Sequence, residues 1–338
     1  MMLHDHDEML LHLPGTAAER EWLEGHLKVL SVKERIALTA AVAREPPQDM
    51  AGAVNCLLSL EWYEVRGHAD SYEVLGGFFC SEQFIPMEQR PFFDKAALGR
   101  LYEEHHPGLF VGNCYVEFPE KQPALRYDGL ELPDIESEGW SVRLKLASEA
   151  MPEGVWIRLP DYDAAFSDNP GEIELALDEL GVKRFPECTL LDARCVLPCV
   201  QDLAGQYAKL SDLIDDGQEL GFLLDELWQD DPNFLERFGI VLEFEHCRRL
   251  NDAVCIGRDL DSYDLVSVDT FIDQVTQKLD ERQWANCGDA VKNCFNYTAY
   301  ATAVAERQGY QLTDDGCHFI RKRDSPELEQ QPPGMTMQ

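Results

Sequence analysis

The stretch AVNCLLSLEWYEV at residues 53–65 returns in altered form as AVCIGRDLDSYDLV at residues 253–266. Ala53 answers to Ala253, Val54 to Val254, Leu60 to Leu260, Tyr63 to Tyr263 and Glu64 to Asp264, each 200 positions on. Upstream, Leu30 answers to Leu227, 197 positions on, and VKERIALTAAV (32–42) to PNFLERFGIVLEF (232–244), with an offset near 202. Downstream, FFDKAALGRLYEEHHPGLF (92–110) aligns with NYTAYATAVAERQGYQL (296–312), placing Gly108 opposite Gly309. An offset held nearly constant over about 90 residues marks a duplicated module, and only two copies at so long a period make it a tandem duplication, not a solenoid. Each copy, residues 22–116 and 222–322, is expected to form the same small α+β unit: helix, helix, short strand, helix, strand. Tyr63 and Tyr263 should hold equivalent, mostly buried places.

Between the copies, GWSVRLKLA (139–147) and EGVWIRLP (153–160) alternate with a period of two around a Pro152-Glu153-Gly154 turn, which predicts a hairpin. NPGEIELALDELG (169–181) reads as a helix with Asn169 at its N-cap, Pro170 in its first turn and Gly181 as its stop. CTLLDARCVLP (188–198) reads as a strand. The expected class is α+β, a multi-domain chain with a lead-in (1–21), first copy (22–116), central hairpin and helix domain (117–221), second copy (222–322) and tail (323–338). Residues 1–14 and 324–338 read as disordered tails.

The chain carries 63 Asp and Glu against 29 Lys and Arg, a net charge of -34, yet 45% of its residues are hydrophobic and its aromatic residues run from Trp22 to Phe319. Such a chain folds, and its acidity needs another account than low hydrophobicity. The charge argues against nucleic acid and anionic membranes as direct partners and favours a basic protein. No run of 18 or more apolar residues appears and the amino terminus MMLHDHDEMLLHLPG lacks the basic start of a secretory signal, so a cytoplasmic location is expected. The 11 cysteines, an odd number scattered through apolar stretches, read as reduced thiols.

The acidity concentrates in SDLIDDGQELGFLLDELWQDD (211–231), which holds Asp212, Asp215, Asp216, Glu219, Asp225, Glu226, Asp230 and Asp231 and no lysine or arginine. In one helix the first four would share a face opposite Leu213, Leu220, Leu224 and Leu227, although Gly217 could also end one helix before a second. A second concentration, residues 161–179, contains Asp161, Asp163, Asp168, Glu172, Glu174, Asp178 and Glu179. The recurrence points to a functional surface made by both stretches, where a single acidic helix would be an ordinary solvated face.

Other chemistries fail on spacing. DYDAAFSDNPGE (161–172) resembles a calcium loop, but Phe166 stands where such a loop needs glycine and Ala165 offers no oxygen. Cys195 with Cys199, Cys287 with Cys294, and His246 with Cys247 form no paired zinc knuckles. His105 and His106 are explained by capping a helix end. LGGFFC near Gly76 and Gly77 lacks the spacing and lysine of a phosphate loop, and no nucleophile elbow, zinc-protease helix or kinase set occurs. No cofactor, metal or catalytic set is expected, and carboxylates are too abundant to diagnose acid/base catalysis.

The combination of VWIRLPDYD (155–163), CTLLDARCVLP (188–198), LSDLIDDGQELGFLLDEL (210–227), FLERFGIVLEF (234–244) and LNDAVCIGRDLDSYDLVS (250–267) resembles the ArdA-type antirestriction proteins and their larger relatives on mobile elements of gut Firmicutes. The resemblance covers about residues 150–275 and, more faintly, 24–110 through the repeat; the chain is about twice as long as a typical ArdA. It implies an elongated, dimeric DNA mimic that occupies the DNA groove of a type I restriction-modification enzyme and evades host defence. Duplex DNA carries one charge per roughly 1.7 Å of axis, so 34 net charges equal about 58 Å, on the order of 17 base pairs. Two other readings fit the same acidity: a non-catalytic adaptor or chaperone for a basic protein, and a hydrolase using carboxylates.

Overall fold

The computed structural model describes residues 5–133, 140–166, 169–200, 202–230, 234–282 and 294–323. The chain divides into two compact units, Met1–Val196 with Asp202–Gly221, and Leu197–Gln201 with Phe222–Gln338. The first copy of the module and the central segment apart from Leu197–Gln201 fall in the first unit.

The first unit begins with α1 (Asp5–Leu11), where a disordered tail was expected. Leu10 is fully buried and Asp7 pairs with Arg35 at 3.2 Å, which ties this short, charged helix to the core. Next come α2 (Ala17–Leu27), α3 (Val32–Arg44) and α4 (Met50–Leu58). Thr16 with Glu19 and Ser31 with Glu34 form capping boxes that satisfy the first N–H groups of α2 and α3. After its first turn α3 reads IALTAAV, and residues 36–42 are buried all round, so this helix is the core of the unit.

A 3₁₀ turn (Leu60–Trp62) leads into β1 (Glu64–Arg66), α5 (Tyr72–Glu82), a second 3₁₀ turn (Arg90–Phe92), α6 (Lys95–His105) and the hairpin β2 (Gly108–Val111) and β3 (Cys114–Glu117). The sheet order is β1-β3-β2, antiparallel throughout. Two glycines let α5 and α6 touch backbone to backbone: a Cβ on Gly76 would strike the Lys95 carbonyl oxygen, and one on Gly99 the Tyr72 carbonyl oxygen.

The predicted hairpin forms as β4 (Val142–Ala147) and β5 (Val155–Leu159), with Gly154 at φ 68° in the turn. After α7 (Tyr162–Phe166) and α8 (Glu172–Glu179), β6 (Thr189–Cys195) completes a sheet of order β5-β4-β6. Asn169 does not cap α8, whose N-cap is Gly171. Its buried amide instead accepts from the Gly67 N–H (3.0 Å) and donates to the Val65 carbonyl (2.7 Å), fastening the loop after β1. A short α9 (Leu203–Gln206) precedes α10 (Leu210–Asp230).

In the second unit, α11 (Phe234–Phe244), α12 (Leu250–Arg258), a 3₁₀ turn (Leu260–Ser262), β7 (Tyr263–Ser267), α13 (Val268–Arg282), α14 (Tyr297–Arg307), β8 (Gln311–Leu312) and β9 (His318–Lys322) follow. The sheet order is β7-β9-β8, with the connectivity of β1-β3-β2. Equivalent rows match: Val65 pairs with Val116, which pairs with Leu109, while Leu265 pairs with Ile320, which pairs with Gln311. Tyr63 and Tyr263 both end a 3₁₀ turn, at φ/ψ of -96°/115° and -98°/127°. Tyr263 is buried, but Tyr63 is only half-buried, edge-on to Phe118. Each copy also contains a helix directly after its first strand, α5 or α13, which the sequence reading of one helix between strands had omitted.

Candidate acidic interaction surface

Helix α10 is continuous through Gly217, so the alternative of two helices does not occur. Gly217 and Gly221, one turn apart, are both buried, and each faces the β4–β5 hairpin: a Cβ on Gly217 would lie 2.7 Å from Leu159 Cδ1, and one on Gly221 would overlap the Pro160 ring. The Ser141 hydroxyl donates to the Gly217 carbonyl at 2.7 Å. The glycines thus trade roughly 1 kcal/mol each of helix propensity for close packing.

At about 100° per residue, Asp212, Asp215, Asp216, Glu219 and Glu226 fall within one arc of about 100°, over an axial length of about 21 Å. Asp212, Asp215 and Glu226 are exposed, and among the described residues they make no ion pair. Asp216 is half-buried and accepts from the Tyr207 hydroxyl at 2.6 Å. Glu219 and Asp225 are half-buried. Leu223 interrupts the arc, since it is buried against Gly257. Leu213 and Leu220 are fully buried, whereas Leu224 and Leu227 are only partly so. Asp230 is the last helical residue, and Asp231 lies outside the described residues, as does Asp168.

The second acidic stretch divides differently. Asp178 and Glu179 on α8 are exposed, with Asp178 2.7 Å from His68 Nε2, and Glu174, 3.8 Å from His68 Nδ1, is exposed beside them. Asp161 and Glu172, expected on the solvent-facing surface, are buried at 2% and 4% exposure, and so do not contribute to it. The physical reason is local hydrogen bonding. The Asp161 carboxylate accepts from the Ile173 N–H (3.0 Å) and the Ala164 N–H (3.3 Å), holding the starts of α7 and α8, and its own N–H donates to Gln218. Asp163 is mostly covered and paired with Lys33.

Glu172 belongs to a covered polar group that sequence reading missed, because its members come from α3, β4, β5 and α8. Ser31 Oγ donates to Glu172 Oε1 at 2.9 Å, while Arg158 from β5 pairs with Glu34 at 3.0 Å. Burial pushes the Glu172 carboxyl up to about 8, opposed by the Arg158 charge and reinforced by the Glu34 charge. Burial acts on Glu34 in the same sense, but Arg158, Arg143 and the Ser31 hydrogen bonds outweigh it and hold Glu34 below its ordinary value. Of the two carboxyls, Glu34 is the one that pairs directly with Arg158. Among the described residues Glu172 Oε2 is buried without a hydrogen-bond partner, as suits a carboxyl that retains its proton.

Residues of the rejected calcium loop are engaged elsewhere, as the contacts of Asp161, Asn169 and Glu172 show. Among the described residues no group of three or more His, Cys, Asp and Glu is placed to hold a metal ion, and no helix is long and apolar enough to cross a membrane. The described cysteines are free thiols, and Cys287 falls outside the described residues. Burial pushes Cys56 up to about 12 and Cys114 and Cys247 up to about 11, which leaves little thiolate for chemistry. A cavity of about 810 Å³ in the second unit is lined by Arg237, Tyr263, Phe271, Lys278 and Arg323 among others. Two of its cations are already spent, Arg237 on the Leu260 and Tyr263 carbonyls and Arg323 on Asp264. Compared with known protein families, with curated proteins and with solved structures, the chain matches none.

Proposed function

We propose that this chain is a non-catalytic acidic inhibitor that competes with DNA for the basic channel of a type I restriction-modification enzyme in the cytoplasm. The observation that carries the reading is the exposed trio Asp212, Asp215 and Glu226, which make no ion pair among the described residues, on a continuous helix that contains no cation. Five carboxylates spanning about 21 Å of α10 stand roughly 5 Å apart on average, against 3.4 Å between charges along a single DNA strand. The likeness to ArdA-type sequences supports the choice of target. Carboxylates would replace phosphates opposite rows of Lys and Arg, and affinity would come largely from the release of counterions.

The test is competition. The parent protein should displace duplex DNA from a purified type I enzyme, with an inhibition constant that weakens steeply as salt rises. The combined variant Asp212→Asn, Asp215→Asn, Glu226→Gln should weaken inhibition by roughly 3- to 100-fold, from the typical worth of exposed charge pairs if their effects add. It should melt at or above the parent temperature, because like charges have been removed. A folded triple variant that inhibits as well as the parent removes this face from the mechanism. Binding to the enzyme that DNA never displaces favours an acidic adaptor instead.

A further inference from the structure

Helix α5 ends in a hydrogen-bonded cap that glycine normally completes. The Phe84 N–H donates to the Ser81 carbonyl at 3.0 Å and the Ile85 N–H to the Cys80 carbonyl at 2.9 Å. This paired arrangement requires the intervening residue to adopt the left-handed conformation, and Phe84 does so at φ 52°. Glycine takes that conformation without strain, whereas a bulky side chain is a genuine outlier there. The strain obtains no packing in return, since Phe84 is 90% exposed. Folding alone would favour glycine at this position.

The same connection presents Met87 and Phe92, at 77% and 88% exposure, with Phe93 beside them. It is internally braced: the Gln89 and Arg90 N–H groups donate to the Pro86 carbonyl, and Arg90 Nε donates to the Ile85 carbonyl at 2.9 Å. Arg90 is the only basic residue of this connection and its charge is turned back onto the loop. Glu82, Glu88 and Asp94 flank the apolar side chains and are exposed; Glu82 lies 3.1 Å from His106 Nε2, Asp94 caps α6 by accepting from the Ala97 N–H, and Glu88 stands within the loop itself. A second copy of this chain would bring the same carboxylates against them, and an anionic lipid surface would be repelled. Large apolar anchors within an acidic rim fit a protein pocket lined by apolar groups and edged with Lys or Arg.

We propose that residues 83–93 form a docking loop in which Phe84 is the principal anchor, inserting into an apolar, cation-rimmed pocket on the protein that α10 engages. The inference rests on the inhibitor reading for the identity of that protein. It adds a second contact of different physical character, apolar and nearly independent of salt.

The experiment measures affinity for a purified type I restriction enzyme at low and high salt, using the parent, Phe84→Gly, Phe92→Ala and the triple acidic variant. Phe84→Gly should fold with an unfolding midpoint no lower than the parent's and should bind roughly thirty-fold more weakly, as expected for loss of an aromatic anchor. Its deficit should hold at both salt concentrations, whereas the deficit of the triple variant should shrink at high salt. A parent that binds and is displaced by DNA, with Phe84→Gly and Phe92→Ala binding equally well, overturns the docking loop and leaves the inhibitor reading standing. A parent that never binds overturns both. A change in sedimentation that shows Phe84→Gly breaking a homodimer, or loss of binding to phosphatidylcholine vesicles, overturns the choice of a partner protein.

Discussion

Replacing Glu172 by Gln tests the covered polar group through its dependence on pH. The side chain is 4% exposed, and burial pushes its carboxyl from an ordinary 4.5 up to about 8. Between those values the unfolded chain has released the proton and the folded chain retains it. Stability from this group is therefore complete below about pH 4.5 and is lost as pH rises toward 8. The loss proceeds at up to about 1.36 kcal/mol per pH unit, so a shift of this size has a ceiling on the order of 5 kcal/mol. Gln keeps the acceptor for Ser31 and cannot ionise. Glu172→Gln should match the parent within about 1 kcal/mol at pH 5 and exceed it by about 2–4 kcal/mol at pH 8.5. Urea unfolding from pH 5 to 8.5, with the slope in denaturant checked at each pH, would measure the difference. Groups common to both proteins cancel in the comparison. Parallel profiles for parent and variant would refute the reasoning, because they would show that Glu172 ionises alike in the folded and unfolded chain.

Two further substitutions probe packing and capping. Gly99→Ala improves helix propensity by roughly 1 kcal/mol yet should destabilise by about 1–3 kcal/mol net, because the added methyl meets the Tyr72 carbonyl; denaturant unfolding as favourable as the parent's would mean that backbone contact does not set the spacing of α5 and α6. Asp161→Asn should cost about 1–3 kcal/mol by leaving a buried N–H at the start of α7 or α8 without its acceptor, while Asp178→Asn on the exposed face of α8 should leave the thermal midpoint nearly unchanged; equal effects would deny the distinction between buried and exposed members of this acidic stretch.

The hairpin and the matching order of the two modules were legible because period-two alternation and a constant offset are carried by local residues. Helix α1 was not legible: it is short, polar and charged, and only the burial of Leu10 and the pairing of Asp7 with Arg35 reveal why it is ordered. Gly217 was ambiguous for a related reason, since a glycine that ends a helix and one that admits a neighbouring hairpin look the same in sequence. The acidic surface was legible in composition but not in membership. Whether a carboxylate faces water depends on partners far along the chain, as Ser31 for Glu172, and on turn geometry, as for Asp161. Phe84 drew no notice because a phenylalanine near a helix end carries no signal until its φ and exposure are known.

Duplicated modules face a hazard that single domains do not, since strands from one copy can pair with those of the other while the chain folds. The equivalent row of the two sheets has opposite chemistry on its central strand. Glu117 of β3 lies across from Glu64 and is held by Arg66 at 2.7 Å, whereas Arg321 of β9 lies across from Asp264 and binds it at 2.6 Å. Were β7 to pair with β3, Asp264 would oppose Glu117, and Val266 would stand where Arg66 supplies the compensating charge. The native first sheet has the same like-charge opposition, Glu64 across from Glu117, and offsets it with Arg66, so the mismatched sheet would keep the repulsion without that cation. The two copies thus differ in where the cation stands that settles an acidic first strand, Arg66 on the first strand itself and Arg321 on the central one.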